Sequence, residues 1–385
     1  MATPLSVSRV SGPTPHHTPG GFRNPWPSWT PKNETPLLKN LRWGVRHAPE
    51  PRVPLRVLSP DFRHGGERVR ITWLGHASVL VQLYSPGESF AVLFDPIFSR
   101  RCSPSQKFGP ARAYPAPCDV HALPRIDIVA VSHDHYDHMD ENSLVAIAAQ
   151  FPGARFCVPL GCKATLASFG ISLERIVELD WWDHCDVVLA HGSVCLTCTP
   201  AQHASGRGGN VGRSLWSSWY LSQVTEARTV RLFFGGDTGL CTDDKDTSPE
   251  CPAFAEIRER LGAPDVALLP VSVGATYGFL KSFDPLPDWL SPIPRATDGL
   301  ARAVHMTPRD AVRTMRIMGA PVALAIHWGT FIEDHVEVKQ TMARLSDVCA
   351  ADGVHLVRAW DSSAPAPAPA HTFAMLDHGA SLVVF

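Results

Sequence analysis

The chain has 385 residues, of which 44% are hydrophobic and 19% charged, enough for a sizeable core in one large domain or two ordinary ones. Its 35 Lys and Arg residues nearly balance 37 Asp and Glu residues, at a net charge of −2. This balance argues against nucleic acid as a partner. No stretch approaches the roughly 20 apolar residues of a membrane-spanning helix, so any membrane contact is expected to be peripheral.

The start of the chain is rich in proline. Residues 1–20 combine Pro, Ser, Thr and Gly and are predicted to be disordered. Residues 21–66 add three tryptophans, which indicates an arm that packs against another part of the protein (Trp26, Trp29, Trp43). No apolar secretory signal precedes the ten cysteines. We therefore predict mostly reduced thiols in an intracellular protein, cytoplasmic or peripherally membrane-associated and not secreted.

Short β-rich segments begin at residue 67. RVRITWLG, ASVLVQLYS and SFAVLFDP are separated by Gly, Ser and Pro turns, as in a mostly antiparallel sheet. A buried strand at 125–132 then leads into a helix at 140–151. The alternation continues with strands at 154–160, 186–199, 214–222, 229–235, 265–271 and 321–327, and with helices near 161–169, 252–261, 307–319 and 335–350.

Two local features refine this assignment. The helix at 307–319 has Thr307 as N-cap, Pro308 at its first position and Gly319 after its end. Cys195 and Cys198 form a C-x-x-C pair, but the alternating run VCLTCTP favours strand thiols over a redox pair. The pattern predicts two sheets with helices outside, in one domain over residues 67–361. The Pro/Ala-rich SSAPAPAPA and a terminal strand occupy 362–385.

The segment VSHDHYDHMD (131–140) concentrates three histidines and three aspartates directly after a predicted strand. His133 and His135 are two residues apart and can face one point, and Asp137 and His138 can face a second point nearby. Imidazole and carboxylate together suit zinc and related divalent ions. The alternative is an ordinary polar loop exposed to solvent.

Three further candidates follow predicted strands downstream. His203 lies in CTPAQHAS, Asp237 in RLFFGGDTG and His327 in VALAIHWG. A single histidine at a strand end is more often a core residue, but three such residues after HxHxDH favour a metal centre. His133, His135 and His203 then form one set, and Asp237 is placed to bridge to a second set (Asp137, His138, His327). Two adjacent divalent ions would suit a hydrolytic centre.

The same order of ligands is the pattern of the metallo-β-lactamase superfamily, whose αβ/βα sandwich (α/β class, four layers) is implied for this chain. More closely, the chain resembles the zinc-dependent phospholipase D that hydrolyses N-acyl-phosphatidylethanolamines. The matching segments run in order across about residues 21–332: NPWPSW, TWLGHASVLVQ, LFDPIFSRRCSPSQKFGPAR, SHDHYDHMD, PAQHASGRG, SLWSSWYL, FFGGDTG, HMTPRDAV and AIHWGTF.

The resemblance implies two Zn²⁺ ions per chain on the seven residues already named. It also implies attack by a metal-bridging hydroxide on the phosphodiester phosphorus, which yields phosphatidic acid and an N-acylethanolamine. Asp137 would orient this nucleophile as well as bind metal. The substrate would be a phospholipid at a membrane surface, and a homodimer is suggested by the family alone.

Residues beside the ligands carry alternative interpretations. Asp95 in LFDP is a candidate to hold the second nitrogen of a ligand histidine, or a simple turn residue. His76 in WLGHAS either lines the floor of the pocket or packs in the core. His305 resembles a family histidine near the substrate phosphate, and we interpret it as a proton donor to the departing alkoxide or as a phosphate contact.

Candidate substrate contacts lie in and near RRCSPSQKFGPAR (100–112). Arg101 and Phe108 would form part of a basic, apolar lip for anionic lipid headgroups, and Tyr136 would add an apolar contact beside the metals. The alternative is a solvated loop whose arginines bind backbone.

Two segments depart from the family pattern, a long Pro-rich stretch at 280–304 and an acidic loop at 243–252. Both leave the lipid preference open. Two other functions are therefore retained. One is a hydrolase of the same fold that acts on a soluble phosphodiester or a lactone. The other is a non-catalytic lipid-binding or redox-scaffold protein.

Overall fold

The computed structural model describes residues 5–12, 14–29, 41–42, 55–242, 248–272, 295–296, 302–332, 335–360 and 371–384. Within these residues the chain forms two large sheets. The seven-stranded first sheet has the spatial order β10-β9-β8-β7-β6-β5-β20. Its strands are β5 (Val69–Gly75), β6 (Ser78–Ser85), β7 (Glu88–Phe94), β8 (Ile128–Ala130), β9 (Arg155–Pro159), β10 (Ile176–Leu179) and β20 (Ser381–Val384).

The nine-stranded second sheet has the order β1-β11-β12-β13-β14-β15-β17-β19-β18. Its strands are β1 (Leu5–Ser8), β11 (His184–Leu189), β12 (Gly192–Thr199), β13 (Ser218–Val224), β14 (Thr229–Phe234), β15 (Val266–Pro270), β17 (Val322–Ile326), β18 (His355–Val357) and β19 (Thr372–Ala374). Two-residue ladders join β2 (His17–Thr18) to β3 (Gly21–Phe22) and β4 (Leu41–Arg42) to β16 (Arg295–Ala296). The helices are α1 (Glu141–Gln150), α2 (Lys163–Ser168), α3 (Ala253–Leu261), α4 (Pro308–Met318) and α5 (His335–Ala351).

Both sheets are mixed. In the first sheet β7, β8, β9 and β10 pair in parallel, and in the second sheet β14, β15, β17, β19 and β18 do so. Parallel strands end at the same edge of a sheet, where side chains from successive loops meet. The candidate residues Asp95, His133, Asp237 and His327 follow the ends of β7, β8, β14 and β17. The topology therefore places Asp95 and His133 at one edge of the first sheet and Asp237 and His327 at one edge of the second. These two edges lie side by side, because Nε2 of His133 is 3.9 Å from Oδ2 of Asp237.

The alternation along β7 shows how the layers are arranged. Phe94 belongs to the core shared by the two sheets, where its ring stacks on Phe234 of β14 at 4.6 Å between centroids. Leu93 faces the other way and packs with Leu144 of α1 and Leu166 of α2. Side chains of α3 and α4 pack against the second sheet. The molecule is therefore a four-layer αβ/βα sandwich, as the sequence predicted.

Most predicted elements from residue 67 to 351 are present. The features expected for helix α4 also occur, because Thr307 and Asp310 form a capping box, Pro308 is the first helical residue and Gly319 closes the helix at φ 69°. The short strands β10 and β18 were not predicted. Three or four residues carry too little periodicity to distinguish a strand from a loop.

The N-terminus differs from the prediction of disorder for residues 1–20. Strand β1 pairs antiparallel with β11, and the Arg9 guanidinium lies 2.6 Å from the Asp183 carboxylate. Composition misses this because a neighbouring strand, rather than the local sequence, supplies the hydrogen bonds. The predicted packing of the arm is present in residues 21–29, where the Trp26 indole stacks on Trp181 at 5.3 Å. Trp43 lies outside the described residues.

The C-terminal tail also differs from the expected boundary at residue 361. β19 lies between β17 and β18, and β20 pairs antiparallel with β5, so the tail completes both sheets. The Pro/Ala segment at 361–370 lies outside the described residues. Cys195 and Cys198 both lie on β12, as predicted, and burial raises the pKa of the Cys195 thiol to about 12.

No helix in the described part of the chain is long and apolar enough to cross a membrane.

The packing between the sheets gives a first testable expectation. Phe94→Ala removes a fully buried ring that stacks on Phe234, so unfolding should require about 3–5 kcal/mol less free energy. Urea denaturation followed by circular dichroism measures this change. Leu173→Ala is the control, because Leu173 is 58% exposed and should change stability by less than about 0.5 kcal/mol. Equal stability of the two variants would contradict the packing described here.

Candidate metal centre

The first group of candidate ligands surrounds one point. Nε2 of His133 lies 2.8 Å from Nδ1 of His135, and Nε2 of His203 lies 3.2 and 3.4 Å from these two atoms. Two nitrogens bound to one tetrahedral zinc at about 2.0–2.1 Å would lie roughly 3.3 Å apart. The three nitrogens therefore have nearly the separation that a shared divalent ion requires.

Hydrogen bonds to the other ring nitrogens select the tautomers. Nε2 of His135 donates to the carbonyl of Gly206 at 3.0 Å, and Nδ1 of His203 donates to the carbonyl of Val304 at 2.8 Å. Nδ1 of His133 lies 2.9 Å from the Ser132 hydroxyl, which itself donates to Asp95. In each histidine the nitrogen that faces the other two is thus left with a lone pair for a cation.

The second group lies beside the first. Nε2 of His138 lies 3.5 Å and Nε2 of His327 lies 3.8 Å from Oδ2 of Asp137. Nδ1 of His138 donates to Asp95 at 2.7 Å, which again leaves the lone pair of Nε2 for a cation. His76 also reaches Asp137, at 3.0 Å between its Nε2 and Oδ2. The second group is therefore complete with the residues predicted from the sequence.

Asp237 joins the two groups. Its Oδ1 lies 3.2 Å from Nε2 of His138 and 3.0 Å from Nε2 of His327. Its Oδ2 lies 3.9 Å from Nε2 of His133 and 3.7 Å from Nε2 of His203. One carboxylate oxygen faces each group, which is the position of a bridging ligand between two adjacent cations.

Buried polar atoms without a hydrogen-bond partner indicate whether these groups of residues can hold a cation. Nε2 of His138, Nε2 of His327 and Oδ1 of Asp237 are all buried and have no hydrogen-bond partner among the described residues. Buried polar atoms are rarely left unpaired, and these three face one another. A divalent ion among them would satisfy all three. The His/Asp groups at this edge are thus able to bind metal.

The pKa values of the residues in the second group also favour a cation at this position. Burial disfavours charge on both groups, but Asp237 and Asp137 outweigh it and hold the pKa of His138 well above its usual value and that of His327 at about 9. In turn, the histidine charges hold the pKa of Asp237 well below its usual range in spite of burial. The carboxylates therefore favour positive charge at this point, which a bound cation would supply.

Asp95 orients residues of both groups through hydrogen bonds. Its fully buried carboxylate accepts hydrogen bonds from the backbone N–H of Ser132 at 2.6 Å, the Ser132 hydroxyl at 2.6 Å and Nδ1 of His138 at 2.7 Å. Through Ser132 it also orients His133. The structure thus places Asp95 in contact with a candidate ligand, as predicted, whereas Ser132 was missed.

His76 is buried beside the second group and packs against the rings of His327 and Phe331. Its ring is 4.2 Å from that of His327 between centroids, and burial lowers its pKa to about 3. Its backbone carbonyl accepts from the N–H of His327 at 2.9 Å. His76 therefore contacts both Asp137 and His327 within one group.

Three residues around the centre have strained backbone. His76, Asp95 and His327 have φ values of 51°, 40° and 58°, in the left-handed region that non-glycine residues seldom adopt. Each follows the end of a strand. Such strain persists where surrounding contacts enforce it and concentrates at functional sites.

His305 lies beside Asp237, the carboxylate that joins the two groups. Its Nε2 is 3.0 Å from Oδ2 of Asp237, and its buried Nδ1 has no hydrogen-bond partner within the described part of the chain. Arg302, which pairs with Asp310 at 2.8 Å, links the segment before His305 to the first turn of α4. The predicted proton donor or phosphate contact is thus beside the carboxylate of Asp237.

The three candidate substrate contacts differ in their exposure and in their hydrogen bonds. Phe108 is 57% exposed and Tyr136 is 41% exposed. The Arg101 guanidinium donates to the carbonyl of Gly109 within the same loop, which favours the interpretation that arginines of this loop bind backbone. Most of the 280–304 segment and residues 243–247 lie outside the described residues.

Several supporting residues were not found from the sequence. The Asp134 carboxylate accepts from the backbone N–H of Gly206 and from the Ser214 hydroxyl, both at 2.7 Å. Asn24 of the arm donates to the carbonyl of His203 at 2.7 Å and accepts from its N–H at 3.2 Å. Asp134 is part of the quoted histidine cluster and Asn24 part of NPWPSW, but only their positions in the fold distinguish them from ordinary loop residues.

Comparison with known proteins agrees with this geometry. The profile of the beta-lactamase superfamily domain matches residues 91–328. An uncharacterised protein of Mycobacterium tuberculosis is 33% identical over 337 residues, which cover 86% of this chain and 78% of that protein. The Caenorhabditis elegans protein named N-acyl-phosphatidylethanolamine-hydrolyzing phospholipase D 1 is 31% identical over 303 residues, covering 77% of this chain and 74% of the relative.

A solved structure shows the same fold. The crystal structure titled a possible metal-dependent hydrolase from Veillonella parvula has a TM-score of 0.50 at 14% identity and covers 82% of this chain and 100% of that chain. The sandwich and its clustered histidines and aspartates define a metal-dependent hydrolase. The chain belongs to the metallo-β-lactamase superfamily.

Proposed function

We propose that the protein is a zinc-dependent phosphodiesterase of the phospholipase D type, which hydrolyses N-acyl-phosphatidylethanolamines to N-acylethanolamine and phosphatidic acid. The observation that carries a dinuclear hydrolytic site is Asp237, whose two oxygens face two adjacent groups of ligands. The named activity of the Caenorhabditis elegans relative at 31% identity supports the lipid substrate.

Two zinc ions suit the donor set. The first would be held by His133, His135 and His203, the second by Asp137, His138 and His327, with Asp237 shared. Imidazole nitrogens and carboxylate oxygens are common zinc ligands. When bound, the pair supplies Lewis acidity, which activates water and neutralises negative charge on a phosphodiester.

The residues of the chain then have distinct roles. Asp137 has one oxygen among the ligands and its other oxygen 3.7 Å from the Arg207 guanidinium, so it can orient a nucleophile at the open side of the site. His305 would contact the phosphate or donate a proton to the departing alkoxide. His76 and Asp95 hold Asp137, His327 and His138 in place.

Exposed aromatic side chains support contact with a lipid surface. Tyr136 lies between two candidate ligands in the chain, and Phe108 lies in the loop at 100–112. At the end of this loop the Arg112 guanidinium lies 5.7 Å from the centroid of the Phe331 ring, and the centroid of that ring lies 5.1 Å from that of His76, so this end of the loop flanks the site. Arg100 and Lys107, both exposed, add positive charge to it, which favours anionic headgroups. A homodimer stays a prediction, which sedimentation equilibrium would test.

The test uses purified full-length protein with zinc measured by elemental analysis. Turnover of N-acyl-phosphatidylethanolamine in mixed micelles is followed by mass spectrometry of the released N-acylethanolamine. We expect at least two zinc ions per chain, and turnover that is lost after chelation and recovered with zinc. Metal binding without lipid turnover, but with cleavage of a soluble phosphodiester or a lactone, would overturn the substrate and keep the hydrolase. Folded protein without bound metal would overturn the whole proposal.

The lipid-contact loop gives a separate expectation. Phe108→Ser should weaken binding to vesicles that contain anionic phospholipid, because it removes an exposed apolar side chain of a size worth about 1.5–3 kcal/mol on full burial. Turnover of a short-chain, micelle-free substrate should stay unchanged. Sedimentation with vesicles measures the binding, and Leu173→Ser is the control because Leu173 is also exposed, at 58%. Equal vesicle binding by the two variants would exclude Phe108 from the membrane contact.

A further inference from the structure

In the structure the N-terminal arm begins before residue 21 and runs over residues 14–29, and a third group of candidate ligands lies near its start. Nε2 of His16 and Nε2 of His17 each lie 2.8 Å from a different oxygen of the Asp180 carboxylate. The arm supplies the two histidines, and the loop after β10 supplies the aspartate. All three candidate ligand atoms lie within 4.8 Å of one another. We propose that His16, His17 and Asp180 form an additional zinc site that fastens the arm to the loop between β10 and β11.

Two histidines that are adjacent in the chain converge on one carboxylate. Neighbouring side chains of an extended chain point to opposite sides, whereas here the turn before β2 brings both imidazoles onto one carboxylate, with their rings 4.6 Å apart and at 83° to each other. A hydrogen-bonded contact between the arm and the sheet would need only one of them. Two imidazoles and a carboxylate form a known donor set for zinc, with the remaining position left for water.

The ligands are also held in place. The ring of His16, which is 3% exposed, stacks on Trp181 at 4.1 Å between centroids. The Asp180 carboxylate is oriented by the backbone N–H of Trp181 at 2.8 Å. The His17 side chain, at 39% exposure, leaves an open path for the ion.

The site has a consequence for the catalytic edge. The same arm continues to Asn24, which makes two hydrogen bonds to the backbone of His203. A cation that joins the two histidines of the arm to Asp180 would restrict the arm and thereby support the strand-end loop that carries His203. The role is structural, and it does not depend on which substrate the enzyme hydrolyses.

Zinc content tests the proposal. Wild-type protein, His17→Gln and the control His355→Gln are equilibrated with the same excess of Zn²⁺, dialysed and measured by elemental analysis. His355 is exposed and lies outside the candidate metal groups. We expect His17→Gln to lose about one equivalent of zinc per chain and His355→Gln to match the wild type. Equal zinc content in all three proteins would overturn the proposal.

Two further variants separate the possible causes. Asp180→Asn should lose the same equivalent as His17→Gln, with an unchanged circular dichroism spectrum to show that the fold is intact. His184→Gln tests the group formed by His184, Asp186 and Cys195. Loss of the equivalent in His184→Gln, and not in His17→Gln, would assign the ion to that group and overturn the proposal. The result is independent of lipid turnover, so failure of the proposed function would not affect it.

Discussion

Asp237→Asn is expected to reduce hydrolysis by at least roughly 10²–10³-fold, the loss that follows removal of one preorganised electrostatic contact. Both oxygens of Asp237 face histidines of the candidate site, at 3.0 Å from Nε2 of His327 and 3.7 Å from Nε2 of His203. An amide keeps the shape but supplies a nitrogen in place of one anionic oxygen. The variant should therefore lose zinc as well as activity, measured by elemental analysis and by turnover of N-acyl-phosphatidylethanolamine.

The control for this variant is Asp352→Asn, which makes the same change at an exposed position after α5. It should keep both zinc and activity. Full zinc content in Asp237→Asn would contradict the assignment of Asp237 as the shared ligand. Full activity in Asp237→Asn with reduced zinc would show that one ion suffices for the reaction.

Asp95→Asn is expected to weaken zinc binding by about 10–100-fold, the usual effect of removing a hydrogen-bond partner behind a metal ligand. The Asp95 carboxylate accepts three hydrogen bonds, from the N–H and hydroxyl of Ser132 and from Nδ1 of His138. An amide nitrogen at this position would face a donor, so His138 would lose its orientation. Competition with a chelator of known affinity measures the change.

Stability must be separated from metal affinity in this experiment, because Asp95 is fully buried. Asp127→Asn is a matched control: Asp127 is also buried, and its carboxylate accepts from the N–H of Ala91 at 2.9 Å at the opposite end of the sheet. Both variants should lose stability in denaturant, but only Asp95→Asn should lose zinc affinity. Equal zinc affinity in the two variants would remove Asp95 from the metal centre.

The two variants affect the centre in different ways. Asp237 would contact the proposed cations directly and its loss removes a charge from both groups, whereas Asp95 acts through His138 and Ser132. The effect of Asp95→Asn should therefore be reversed by raised zinc concentration, while that of Asp237→Asn should persist. This comparison distinguishes a ligand from a residue that positions a ligand.

Much of the fold and the candidate site was predicted from local sequence. Residues of β7 alternate between two buried faces, and Thr307, Pro308 and Gly319 mark the ends of α4; such patterns depend on neighbours along the chain. The seven candidate ligands could likewise be found because they are chemically distinctive residue types that follow predicted strands. The structure brings all seven together at one edge.

What the sequence alone determined was thus most of the strands and helices between residues 67 and 351 and the residues able to bind metal, since periodicity and residue type are local properties. Only the tertiary structure decided that β1 pairs with β11, that the C-terminal tail completes both sheets, and that Asp134 and Asn24 brace the ligand loops. Each of these depends on a partner distant in the chain. The backbone and polar groups involved have no pattern of their own, because the hydrogen bonds that satisfy them come from elements the fold brings close.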